Sequence, residues 1–185
     1  MTTDVPVGRD QVVAAVLEAA ADLFAARGPA ATSIRDIAAR SNVNHGLVFR
    51  HIGSKEQLVG AVLDRLGQQL TELLDTGAPA DQLEAAMDRQ ARVVARALLD
   101  GYPAGELQSG FPNVVRALDV VRPRYDDDTE ARLAVANVIA LQLGWRLLDT
   151  FLRSALDLGE LPEERLRQSI AAAAGLLTEP TKPRH

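Results

Sequence analysis

The hydrophobic pattern of the chain is helical along its length. Val13, Leu17, Ala20, Ala21 and Phe24 recur at three- and four-residue intervals and predict a first helix over about Asp10–Arg27, ended by Gly28-Pro29. Ile34, Ile37 and Ala38 form a shorter stripe, with Ser33 placed to cap it and Asp36 three residues on to complete a capping box. Ser41-Asn42 supplies a turn, since Asn is the non-glycine residue best tolerated at positive φ. A third helix follows over about Asn44–His51, with Val43, Leu47 and Val48 inward and Asn44, His45, Gly46, Arg50 and His51 outward. So short and polar-faced a helix has too little apolar surface to be there for stability alone. Two short helices joined by a tight turn, the second showing donors and one small residue outward, form a helix-turn-helix suited to the DNA major groove.

Ser54 opens a longer helix to about Asp75, with Leu58, Val62, Leu66, Leu70 and Leu73 inward. That stripe exceeds what a three-helix module needs, so the helix links the module to the rest. After Gly77-Ala78-Pro79 the pattern predicts helices over about Ala80–Leu99 and Asn113–Val121, with an irregular stretch at Gly101–Pro112 and a stop at Arg122-Pro123. A long helix over about Asp127–Leu156 is apolar nearly all round. One stripe is Leu133, Ala136, Ala140, Leu143, Leu147 and Phe151, and a second is Val135, Val138, Leu141, Trp145, Leu148 and Leu152. A last helix, about Pro162–Thr178, places Pro162 in its first turn and carries Leu166, Ile170 and the run Ala171–Ala174. Residues 1–9 read as a loose arm and Thr181–His185 as a frayed tail. The expectation is an all-α protein: a helix-turn-helix domain over residues 10–70 and a helical ligand-binding and dimerisation domain over 71–180. A surface helix needs one apolar face, and the last two helices have more than a small domain covers. A two-fold homodimer through a four-helix bundle of those helices accounts for the surplus; a monomer with a central helix is the alternative.

Composition sharpens this. The 185 residues hold 47% hydrophobic and 24% charged side chains, only 4% aromatics and no cysteine, which excludes disulfides, thiolate metal sites and a cysteine nucleophile. No secretory signal pattern is visible, and the charge-free run Leu133–Trp145 is shorter than the ~18 residues of a membrane span, so a soluble, cytoplasmic protein without a membrane partner is expected. The net charge is −5, but residues 1–70 carry seven basic and seven acidic side chains and the excess acid lies wholly beyond them. DNA contact is therefore confined to the first 70 residues, and recognition depends on a shaped site more than on bulk charge.

The flanking residues add a resemblance. Leu23-Phe24 with Gly28, Thr32-Ser33 with Ile37-Ala38, Val43 with Gly46, Phe49, His51-Ile52, and Ser54-Lys55-Glu56 with Leu58 recur in the order of the N-terminal domain of the tetracycline-repressor (TetR) family, over roughly Asp10–Leu70. The resemblance implies a homodimeric regulator that binds a double-stranded DNA operator and a small-molecule effector. By the same resemblance, Thr32, Ser33, Asn44, His45, Gly46, Phe49, Arg50, His51 and Lys55 face DNA, with Ser33 and Lys55 at helix starts that attract phosphate. Phe49 stands where the family usually has Tyr, and Asn42 where it usually has Gly.

Other chemistry is sparse. His45 and His51 point to different sides of one helix and His185 is terminal, so no metal site is expected. Asp126-Asp127-Asp128 reads as an acidic helix start rather than a cation loop. No nucleophile elbow, phosphate loop or dinucleotide fingerprint occurs, so neither a cofactor nor an enzyme is expected. Met87, Tyr102, Phe111, Trp145, Asp149 and Phe151 can enclose an apolar ligand pocket, or can equally be core. The reading is a repressor released by a small apolar ligand; a ligand-independent DNA-binding regulator and a ligand-binding protein that has lost DNA binding remain open.

Overall fold

A computed structural model describes residues 8–180; most of the N-terminal arm and the tail from Thr181, His185 included, lie outside the described residues. The described residues form α1 (Arg9–Arg27), α2 (Ile34–Ser41), α3 (His45–His51), α4 (Lys55–Asp75), α5 (Ala80–Leu99), α6 (Ala104–Leu107), α7 (Pro112–Val121), α8 (Asp128–Ala155) and α9 (Glu163–Leu177), with a 3₁₀ turn at Arg122–Arg124 and no strand. The all-α expectation holds. The chain divides into two compact units, one ending at Pro112 and one beginning at Asn113.

In the first unit α1 to α4 close round Val16, Phe24, Ile37, Val48, Leu58, Val62 and Leu63, all with at most 1% exposure. Fully burying side chains of this size contributes roughly 1.5–3 kcal/mol each. Val93 and Ala97 of α5 join the same core. This places the division at Pro112, well after the 70/71 boundary expected from the sequence. The stripe on α5 announces a helix but not its partner, and the partners are α1 and α4. Polar contacts reinforce that packing. Arg89 lies 2.8 Å from Glu18 and 2.7 Å from Asp22 on α1. The other oxygen of Asp22 lies 2.5 Å from Arg40 on α2.

The stretch Gly101–Pro112, irregular in sequence, contains α6, and Ala104 is buried in the core with Tyr102 and Leu107 packed against it. The carbonyl oxygen of Leu107 occupies the space a Cβ on Gly60 would fill. Asp64, one turn along α4, accepts the Ser109 N–H at 2.9 Å and its hydroxyl at 2.6 Å. Gly60→Ala should therefore displace α6 and lower the unfolding free energy by about 1–3 kcal/mol, because backbone cannot yield as a side-chain tip can; urea unfolding checks it.

The second unit has a smaller core of Val121, Ala134 and Val135, with Val114, Ala117, Leu118, Tyr125 and Ile139 against it. Asp127 caps α8, accepting the N–H groups of Thr129 at 2.7 Å and Glu130 at 3.0 Å. Asp128 bridges Arg122 at 2.8 Å and Arg132 at 2.6 Å, so the acidic run serves the helix start as expected. Pro162 falls at the N-cap of α9, one position before the expected first turn. Arg153 pairs with Asp149 and Glu163 and donates to the Leu161 carbonyl at 2.8 Å, closing the α8–α9 connection.

Along α8 the first apolar stripe stays open: Leu133, Ala136, Ala140, Leu147 and Phe151 are exposed, and Leu143 is half-buried. By length and composition α8 as a whole is also long and apolar enough to cross a membrane, which its charge-free run alone did not suggest.

Candidate DNA-binding site

The connection between α2 and α3 is built locally. Ser33 accepts the Asp36 N–H at 3.1 Å while Asp36 accepts the Ser33 N–H at 2.9 Å, completing the capping box. Hydrogen bonding of the Asp36 carboxyl by the Ser33 N–H and side chain, then the nearby Arg27 guanidinium at 2.7 Å, holds it below its ordinary range. At the other end of α2, Asn42 adopts the left-handed conformation with φ 55°, as the turn requires. The side chain of Asn44 then caps α3 by accepting the Gly46 N–H at 2.9 Å.

Val48 is buried and Leu47 half-buried, while Asn44, His45, Gly46, Phe49 and Arg50 face outward and His51 is half-buried. Phe49 is 60% exposed, an apolar side chain the fold leaves uncovered. A Cβ on Gly46 would meet only the Asn44 Oδ1, at 3.3 Å, and Gly46 does not have a positive φ. The fold therefore makes no demand for glycine there.

Thr32 departs from expectation. It is 1% exposed, and its hydroxyl donates to the Gly28 carbonyl at 2.7 Å while its N–H donates to the Pro29 carbonyl at 3.1 Å. Its carbonyl accepts the Lys55 ammonium. With each of these groups engaged inside the fold, its side chain cannot reach DNA. Lys55 in turn is half-buried rather than free at the helix start. Burial draws its pKa below the ordinary lysine value, and Asp100, Asp36 and Glu56 act in the opposite sense.

The ion pairs show which cations remain. Arg27 is held by Asp36 and Arg40 by Asp22. Arg35 and Arg50 are exposed and pair with no acid among the described residues. Arg35, in the first turn of α2, was not among the residues expected to face DNA. Nothing in the sequence singles it out, because the neighbouring Asp36 is taken by Ser33 and Arg27 only in the fold.

The expected ligand-pocket residues are divided between the two units. Tyr102 packs against the first core, and burial, followed by Glu56 and Asp100, raises its pKa. Met87 is half-buried on α5 and Phe111 is exposed, both in the first unit. Trp145, Asp149 and Phe151 lie on α8 in the second unit, and Asp149 is paired with Arg153. A groove of about 480 Å³ instead lies between α4 and α5, lined by residues including Leu66, Gln69, Leu73, Ala86 and Arg89 and by none of those six.

Comparison with known proteins bears on this geometry. Residues 16–62 match the family described as bacterial regulatory proteins, tetR family. The chain is 65% identical over 175 residues to the HTH-type transcriptional repressor Rv3405c of Mycobacterium tuberculosis, covering 95% of this chain and 93% of that protein. It is 38% identical over 92 residues to the HTH-type transcriptional repressor KstR2 of Mycolicibacterium smegmatis, covering 43% and 45% of the two chains. In fold it resembles a TerR/AcrR-family transcriptional regulator of Aquifex aeolicus, with a TM-score of 0.56 at 18% identity over 90% of this chain and 99% of the other. It also resembles a TetR variant of Acinetobacter baumannii, solved in complex with minocycline, with a TM-score of 0.51 at 18% identity over 97% and 98%. Members of this family are DNA-binding regulators, not enzymes, that bind operators and small-molecule effectors and form dimers. The chain, with its exposed α3 on a capped helix-turn-helix, belongs to the TetR family of bacterial transcriptional regulators.

Proposed function

We propose that the chain is a repressor that holds a two-fold operator as a homodimer and leaves it when a small, mostly apolar ligand binds. The observation that carries this reading is the outward face of α3, where Asn44, His45, Gly46, Phe49 and Arg50 are exposed over a buried Val48. Asn44, His45 and Arg50 supply hydrogen-bond donors for base edges or phosphates, Phe49 an apolar surface for a thymine methyl, and Gly46 room for close approach. Ser33, His51 and Lys55 flank that face, and Arg35 joins them as a phosphate contact. The name of the 65% identical relative, a transcriptional repressor, supports the sign of regulation. Residues 10–70 then serve DNA, and the remainder serves the ligand and the dimer in the cytoplasm, where regulators of this family generally act.

The open stripe on α8, with the exposed Ala171, Ala172 and Gly175 of α9, is the surface assigned to the partner. Ala173 and Ala174, expected on that surface from the sequence, are half-buried within the protomer. Lipid is the poorer occupant for the stripe. Arg132, Arg146, Asp149 and Arg153 all lie on α8, and a charge near a bilayer centre costs about 2.5–3.5 kcal/mol.

Fluorescence anisotropy with the DNA flanking its own gene tests the function. Specific binding well above that to random DNA, reversed by hydrophobic effectors, is the expected result, and equal binding to both DNAs would reject it. Charge placement has its own check. Arg35→Ala should reduce the dependence of log affinity on log salt by about one per subunit with stability unchanged. Lys55→Ala should reduce it similarly but also cost about 1 kcal/mol of stability, because the Thr32 carbonyl loses its donor. Unaltered salt slopes in both would remove these residues from the phosphate backbone.

A further inference from the structure

The loop between α1 and α2 is held from two sides. From α4, the Lys55 ammonium donates to the Thr32 carbonyl. From the end of α5, the Asp100 carboxylate accepts the Ala30 N–H at 2.7 Å, across 70 positions of sequence. The same oxygen fills the space beside Gly28, where a Cβ would lie 2.6 Å from it. Asp100 sits on a firm support. One turn before it Ala97 is buried in the core, and Arg96 donates to the Ala25 carbonyl at 3.1 Å. The helix stops directly after it at Gly101, with φ 84°.

Ala30 is exposed, so its N–H has water available and needs no protein acceptor. The bond to Asp100 therefore fixes where the loop lies rather than rescuing a buried donor. What the loop carries is the phosphate-facing edge of the reading head: the Thr32 carbonyl that seats Lys55, the Ser33 cap and, in the first turn of α2, the exposed Arg35. The charge of Asp100 works the other way. Burial lowers the Lys55 pKa and Asp100 is foremost among the acids that oppose it, so a negative charge stands near a cation assigned to the DNA backbone. Bond and charge thus contribute to DNA binding with opposite sign. We propose that Asp100, although it lies on α5 and beyond the family match over residues 16–62, is a positioning residue for DNA reading. Through the Ala30 N–H it sets the loop from which Ser33, Arg35 and Lys55 meet the phosphate backbone, and with it the seating of α3 in the groove. This rests on the reading of α3 as the base-reading helix and adds to it a residue from outside residues 10–70.

Asp100→Ala and Asp100→Asn in the full-length protein separate bond from charge, since Asn keeps an oxygen to accept the Ala30 N–H. Asp100 is exposed, so neither change disturbs the core, and circular dichroism checks that both proteins are folded. Each is titrated by anisotropy against the flanking DNA and against random DNA. Asp100→Ala should lower the preference for flanking DNA about tenfold, the effect of one misplaced base contact. Asp100→Asn should keep the parent's preference and bind both DNAs at least as tightly, because the acceptor stays and the negative charge is gone. A loss of stability alone would weaken binding to both DNAs together and leave their ratio unchanged. Amide exchange over residues 30–33, read by mass spectrometry, should be faster in Asp100→Ala and unaltered in Asp100→Asn. An unchanged preference in Asp100→Ala, equal exchange in all three proteins, or a loss of preference in Asp100→Asn as well would each overturn the proposal. A parent protein that does not distinguish the two DNAs defeats the reading of α3 and this proposal with it. A parent that distinguishes them, beside an Asp100→Ala protein that does so equally, defeats the positioning role alone.

Discussion

Gly46→Leu should lose operator binding by about two to four powers of ten while unfolding at the same denaturant concentration as the parent protein. Each specific base contact is worth about 1–3 kcal/mol, and a two-fold dimer presents the altered position twice. Stability should hold because a Cβ at this position meets only the Asn44 side chain, and because the backbone at Gly46 is ordinary helix. The protein tolerates the change and the groove of the DNA does not. Anisotropy titrations at fixed salt beside urea unfolding separate the two effects. Retained operator affinity would mean that α3 does not enter the groove along this face.

Leu147→Glu should convert the protein from dimer to folded monomer. Leu147 is 43% exposed in the protomer and Phe151, one turn on, 66%, so a carboxylate at position 147 meets water in the isolated chain and costs its fold little. In a four-helix interface the same carboxylate is desolvated without a partner, and twice by symmetry. A penalty of several kcal/mol raises the dimer dissociation constant about a thousandfold or more. Operator affinity should fall with it, since one recognition helix reads too few bases. Sedimentation velocity with circular dichroism gives the answer: a Leu147→Glu protein that stays dimeric and binds DNA would place the interface elsewhere.

Much of the helix-turn-helix was legible in the sequence because its determinants are local. The Ser33–Asp36 box, the left-handed Asn42 and the Asn44 cap each act within a few residues, so spacing alone reveals them. The inward placing of Val43 and Val48 likewise follows from helical periodicity. Thr32 shows the limit. Its residue type suited a helix start, but its role is set by the Gly28 carbonyl and by Lys55, which lies 23 positions away. Short α6 was hidden for a similar reason. Four residues among glycines and prolines give no period, and its stability comes from lying on Gly60 and Asp64 of a helix more than 40 residues earlier. The half-burial of Ala173 and Ala174 was also beyond reach, since an alanine run marks close approach without telling which side is approached.

The joining of α5 to α1 and α4 bears on how such regulators are recombined. Transplanting a DNA-reading head between relatives at the boundary near residue 70 that the sequence suggests would sever Val93 and Ala97 from Phe24 and Leu63, and Arg89 from Glu18 and Asp22. A graft cut there inherits a helix whose buried face was fitted to another head. The transferable cassette runs through Pro112, and a chimaera exchanged at that point keeps its core, its three-helix salt-bridge chain and the α6 seat intact.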